Sequence, residues 1–219
     1  GTDGEDDGGH RHDEVGILVG GLGDDGVAYI LADLTTSAGP EGWGRAVVAA
    51  YDRYNADAIV AETNFGGAMV RFVIQTAAGP NRSIPVYSVT ASRGKAVRAE
   101  PVAALYGSLE DPSSIDAQFI DERQRRGVPL AQRVRHVWNP SLPDGAGDFS
   151  RLEDELLQFS TFGYQGSSSP NRADSAVWLL THLLLNDHQL ALAAPVLVSW
   201  RPPSPENLPP PEQRSFPSG

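Results

Sequence analysis

The sequence predicts a mixed α/β fold, a central sheet with helices on both faces. Three observations predict it. Short apolar runs of strand length alternate with longer stretches in which apolar residues recur at helical spacing. Their order is hairpin, helix, strand, helix, strand, helix, strand, helix, helix, which suits a mixed sheet with crossover helices. The 219 residues, 40% of them hydrophobic and including four tryptophans, are enough to bury a core.

Taken in order, residues 1–14 ("GTDGEDDGGHRHDE") are rich in Gly, Asp, Glu and His and predict a mobile acidic loop. They have no apolar centre, so they do not read as a signal peptide. Residues 15–19 and 27–34 predict two strands, and Gly23-Asp24-Asp25-Gly26 between them has hairpin-turn chemistry. Pro40 and Glu41 make a good first turn for a helix that carries Trp43, Val47, Ala50, Tyr51 and Tyr54 at helical spacing. Residues 58–61 are a short apolar strand, and 67–77 a helix with Met69, Val70, Val73 and Ile74 on one face. "IPVYSVTA" predicts a strand and "GKAVRAEPVAALYGSL" a helix, with Pro101 as a kink or restart. "RVRHVWNP" predicts a strand. "DFSRLEDELLQFS" predicts a helix capped by Asp148 or Ser150. "SPNRADSAVWLLTHLLL" predicts a buried helix with Ser169 as cap and Pro170 in its first turn. Residues 108–131 are a polar excursion from a domain spanning 15–194. Residues 195–219 form a Pro-rich tail with no periodicity, expected to be poorly ordered or partner-dependent.

Composition narrows the function. The net charge is −11, whereas a simple nucleic-acid binder is usually basic. A nucleic-acid role would therefore rest on a local patch, a metal ion or a partner. The absence of cysteine excludes disulfides, thiol catalysis and thiolate zinc sites. No apolar run reaches the length that spans a bilayer. There is no Walker A pattern and no Gly-x-Ser-x-Gly elbow. Gly20-Gly21-Leu22-Gly23 is followed by "DDG" and not by a helix, which sets aside a dinucleotide loop.

Three places could carry chemistry. Glu62 closes an apolar run and is followed by Gly66-Gly67. Ligands gather at the carboxyl ends of strands in open α/β sheets, and a buried glutamate needs a partner or a cation. A surface glutamate on a strand that ends early remains the other reading. Asp174 lies about one turn into a helix whose later residues are apolar. It is either a site carboxylate or a first-turn acid that favours the helix dipole. Arg93, Lys95 and Arg98 cluster where a strand gives way to a helix, suited to a phosphate backbone or to an ordinary solvated face. His10 and His12 beside Asp13 and Glu14 read as a solvated run, and His136 reads as structural.

In combination, "IVAETNFGG", "SRGKAVRAEPVAALY" and "SPNRADSAVWLLT", in that order, resemble the nuclease domain of tailed-phage or prophage terminase large subunits. The similarity spans most of residues 13–186. It implies a ribonuclease H-like fold and a magnesium- or manganese-dependent endonuclease that cuts concatemeric double-stranded DNA by a two-metal mechanism. On this resemblance Glu62 and Asp174 match the family's metal-holding acids. Asp13 matches an acid that opens the second strand, while Asp3, Asp6 and Asp7 in the preceding loop are not promoted. The family's first aspartate closes a central strand expected just upstream of Gly1. Lys95 would contact the scissile strand or steady developing charge, and Arg93 and Arg98 would hold the backbone. The acids, clustered in one cleft, are expected to repel one another and DNA until metal binds. The resemblance further implies a packaging ATPase domain in the full-length protein, portal and small-subunit partners, no membrane, and the host cytoplasm as location. The alternatives are another ribonuclease H-like nuclease, a resolvase or exonuclease, and a non-catalytic module that docks DNA or the portal.

Overall fold

The computed structural model describes residues 14–63, 67–106, 125, 132–160 and 162–185. The expected acidic loop apart from Glu14, nearly all of the 108–131 excursion, and the Pro-rich tail lie outside the described residues. The strands are β1 (Leu18–Leu22), β2 (Ala28–Asp33), β3 (Ile59–Glu62), β4 (Val86–Val89), β5 (Val134–His136), β6 (Phe159–Ser160) and β7 (Gly163–Tyr164). The helices are α1 (Pro40–Arg53), α2 (Gly67–Ala78), α3 (Lys95–Tyr106), α4 (Ser150–Leu157) and α5 (Asn171–Leu180), the last continued by a π-helical turn, Thr181–Leu185.

The fold is mixed α/β. β2 pairs antiparallel with β1 and parallel with β5, giving a mixed three-stranded sheet. β3 and β4 pair in parallel, Ile59 opposite Val86 and Glu62 opposite Val89. Among the described residues, this pair is not bonded to the three-stranded sheet. The single central sheet expected from the sequence is therefore present as two pieces.

β2 is central to its sheet because both faces are apolar. Alternate side chains point to opposite sides of a strand, so Ala28 and Ile30 join one core with Val102, Leu152, Val177 and Leu180 from α3, α4 and α5. Tyr29 and Leu31 join Val27 on the other face. A further core packs α1 and α2 against β3 and β4 through Val48, Ile74, Trp43 and Ile59. The hairpin turn is closed by fully buried Asp25. It accepts from the Val27 amide at 3.1 Å and from the Tyr29 hydroxyl at 2.7 Å. This closure draws the first strand up to Leu22. The expected strand 15–19 is accordingly displaced, and Val15 makes only an isolated bridge to Thr36.

Other elements shift for local reasons. Pro101 lies inside α3 without ending it. The expected Ser169 cap is not formed, because Pro170 stands at the cap position with no side-chain bond. The Ser169 hydroxyl instead accepts from Lys95 Nζ at 3.1 Å. Asp148 sits one residue before the α4 cap, Phe149, and accepts from the Ser150 amide at 3.0 Å. Residues 159–160, expected to end that helix, pair with residues 163–164.

The segment just before β1 approaches α5 closely because Gly16 lacks a side chain. A Cβ there would lie 2.0 Å from the Asn171 carbonyl oxygen and 2.4 Å from Ser175 Oγ. Gly16→Ala should therefore push the first turn of α5 away, at a cost of about 1–3 kcal/mol. The expected result is a fall of several degrees in the thermal midpoint followed by circular dichroism. An unchanged midpoint would mean that this contact yields freely.

Candidate active site

Five side chains from three parts of the chain meet at one end of β3. Glu62 is the last residue of β3, where the strand's carboxyl end opens onto α5. Asp174 is in the first turn of α5, and Trp178 lies one turn later on the same face. Lys95 opens α3, and Arg98 follows within its first turn.

Their geometry is specific. Arg98 Nη2 donates to Asp174 Oδ1 at 2.6 Å and stands 4.0 Å from Glu62 Oε2. The two carboxylate oxygens can thus be no farther apart than the sum of those distances. Lys95 Nζ lies 3.2 Å from Asp174 Oδ2. Trp178 Nε1 donates to Glu62 Oε2 at 2.7 Å, and the Arg98 guanidinium lies 5.1 Å from the centroid of the Trp178 ring, within cation–π range. Asp174 and Arg98 are nearly enclosed, whereas the Lys95 side chain is 40% exposed.

The sequence-predicted residues divide accordingly. Glu62, Asp174, Lys95 and Arg98 come together. Arg93 is exposed beside them, and its carbonyl accepts from Arg98 Nη1 at 2.7 Å. Asp13 lies outside the described residues. The expected mutual repulsion of the acids is corrected here, because Arg98 stands between Glu62 and Asp174 and Lys95 adds a second cation at Asp174.

Next to this cluster a cavity of about 520 Å³ runs between the consecutive residues 15–20 and 56–62. Trp43 and Val47 of α1 also line it, as do Trp178, Leu179 and His182 from α5 and the turn after it. Burial there pushes His182 below its usual pKa of 6.5, and its ring packs 5.5 Å from that of Tyr87.

The donor chemistry suits a hard cation. Magnesium and manganese prefer carboxylate oxygen, and Glu62 and Asp174 supply it. Within the cluster, Arg98 Nε is buried without a hydrogen-bond partner. Among the described residues no three His, Cys, Asp or Glu side chains gather to hold a metal. The described donors therefore amount to the pair.

Two residues escaped the sequence reading. Trp178 was grouped with the apolar residues, although its place four residues after Asp174 puts it on the same helix face. Arg172 is 6% exposed. It donates to Asp33 Oδ2 at 2.9 Å, to Glu14 Oε2 at 2.7 Å and to Glu155 Oε1 at 3.3 Å. Its signal was an arginine on the buried stripe Ala173, Ala176, Val177, Leu180. His136 joins three elements, with Nδ1 2.8 Å from Glu153 and Nε2 3.0 Å from the Tyr106 hydroxyl.

Among the described residues no helix is long and apolar enough to cross a membrane. Neither curated proteins nor solved structures give a match to the chain. A family model described as the terminase RNaseH-like domain matches residues 4–114. The matched span includes Glu62, Arg93, Lys95 and Arg98 and ends before Asp174. Covering just over half of the 219 residues, the match shows that this chain belongs to the terminase RNaseH-like domain family.

Proposed function

We propose that the chain is the metal-dependent endonuclease domain of a phage DNA-packaging terminase, cleaving concatemeric double-stranded DNA by two-metal phosphodiester hydrolysis. The observation that carries this reading is the convergence of Glu62 and Asp174, from distant parts of the sequence, on a single guanidinium group at the end of a strand. Family membership supports the same reaction class.

In this reading the fold is ribonuclease H-like. The cavity between residues 15–20 and 56–62 is where we place one more strand. Such a strand would join β1 to β3 and satisfy backbone groups along both edges. The family's first aspartate, at the end of that strand, would be a further ligand beside Glu62, Asp174 and Asp13. Residues 15–194 then form the nuclease domain, with 108–131 as an insertion and 1–14 and 195–219 as flanking segments. The partners are duplex DNA, a packaging ATPase domain, the portal and the small terminase subunit, and the place of action is the host cytoplasm.

Bound magnesium or manganese would supply a polarised water and neutralise charge on the leaving oxygen. The protein's own part is holding and positioning. Glu62 and Asp174 present oxygen donors. Trp178 fixes the orientation of Glu62 through its indole N–H. Lys95, partly exposed at the rim, meets the scissile strand and steadies developing charge, and Arg93 holds the neighbouring backbone phosphate.

A nicking assay tests this reading. Supercoiled plasmid incubated with the full-length protein should be relaxed in manganese or magnesium and left intact in excess EDTA. Cutting that persists in EDTA, or no cutting with either metal, would reject it.

A further inference from the structure

We infer that Arg98 is the internal counter-cation of the acid pair, holding Glu62 and Asp174 together without metal and competing with a divalent ion for them. This inference rests on the metal-site reading above and adds a means of regulating that site.

Arg98 is built into the cluster on every side. Nη1 donates to the Arg93 carbonyl at 2.7 Å, Nη2 to Asp174 at 2.6 Å, and the guanidinium lies over the Trp178 ring. The side chain is 11% exposed. This placement has a cost, because Nε is buried without an acceptor and a desolvated N–H left unmade is unfavourable. A guanidinium does not lose its proton in proteins, so it cannot lessen that cost by becoming neutral. What offsets the cost is charge, since Nη2 touches one carboxylate and stands 4.0 Å from the other.

The same position explains the competition. A divalent ion held by Glu62 and Asp174 would compete with Nη2 for the same carboxylates. Two cations a few ångströms apart in a partly buried site repel strongly. Lys95 does not share this role, because its side chain is 40% exposed and can turn outward to solvent or phosphate. Loading metal therefore requires Arg98 to leave Asp174. The site stays charge-balanced when empty and is gated by one side chain.

Manganese binding to the full chain, measured by titration calorimetry at constant ionic strength, tests this directly. Arg98→Met keeps the length of the stem and removes the charge. Arg98→Gln keeps a donor for Asp174 and serves if the methionine variant does not fold. Either folded variant should bind manganese at least about ten-fold more tightly than the unmodified chain. Its thermal midpoint without metal should be lower, and its rise on adding manganese larger. Unchanged or weaker binding in a folded variant would overturn the inference. If the unmodified chain binds manganese and Asp174→Asn abolishes that binding, such a result rejects the counter-cation role alone. If neither the unmodified chain nor the variants bind manganese, the metal-site reading falls and the inference with it.

Discussion

Asp174→Asn and Glu62→Gln should each lower metal-dependent nicking of supercoiled plasmid by more than about 100-fold. Changes to outer partners of a metal site typically cost 10- to 100-fold, and these substitutions remove proposed ligands. Their effects on stability should differ, which makes the pair informative. Glutamine at position 62 keeps a carbonyl oxygen for Trp178 Nε1, the hydrogen bond that Glu62 now accepts at 2.7 Å, so its thermal midpoint should barely move. Asp174 faces Arg98 on one oxygen and Lys95 on the other. Asparagine there keeps one acceptor and no charge, so the midpoint should fall by a few degrees. Asp174→Ala leaves the nearly enclosed guanidinium with Glu62, 4.0 Å away, as its remaining carboxylate in the cluster, and breaking a buried pair costs up to about 3–5 kcal/mol. The predicted order of stability is Glu62→Gln, then Asp174→Asn, then Asp174→Ala. A variant carrying both the Gln and Asn changes that cuts at the unmodified rate would move the active site elsewhere. An Asp174→Ala protein more stable than the unmodified chain would show that acid repulsion dominates after all.

That last contrast marks where sequence reasoning ends. Glu62 was legible because a buried-looking strand stops on a charge, and Asp174 because an acid precedes an apolar helix. Both signals are local. Repulsion between them was inferred from net charge, which counts residues without placing them. Arg98 was legible as a cation but not as the one between the acids, because that position depends on how α3 meets α5. The helices α1, α2 and α3 were readable from periodicity to within a few residues. β1 was misplaced by three residues because the turn is set by Asp25 and Tyr29, a tertiary closure with no periodic signature. The Ser169 cap failed for a similar reason, since its hydroxyl is taken by Lys95, 74 residues away in sequence. Which strands pair with which could not be read from periodicity, because strand pairing is a long-range property.

Arg172→Met should be the most destabilising single substitution away from the acid pair. Arg172 joins the carboxylates of Glu14, Asp33 and Glu155, which arrive from the segment before β1, the end of β2 and α4. Glu155 also accepts from the Ala173 amide at 2.9 Å, so the first turn of α5 is tied through the same cluster. Removing the cation leaves these acids facing one another, two of them with side chains no more than 14% exposed. Truncating one partner of such a buried network costs about 3–5 kcal/mol. For a domain of this size that corresponds to roughly 10 °C in the thermal midpoint. Arg172→Lys keeps a charge but not the planar fork that reaches three partners, so its loss should be intermediate. The pH dependence supplies an independent check. The hydrogen bond from Arg172 holds Glu14 below its usual 4.5 against the opposing effect of burial. The stability that Glu14 contributes is therefore full above about that value and is lost as the pH falls through its lower folded value. Without Arg172 this contribution from Glu14 is absent at every pH. The deficit of Arg172→Met should be largest at neutral pH and shrink as the pH falls below 5. Thermal melts of the two proteins between pH 4 and 8 read this directly. A deficit that is constant with pH, or a midpoint within 2 °C of the unmodified chain at pH 7, would mean that the three carboxylates do not depend on the arginine.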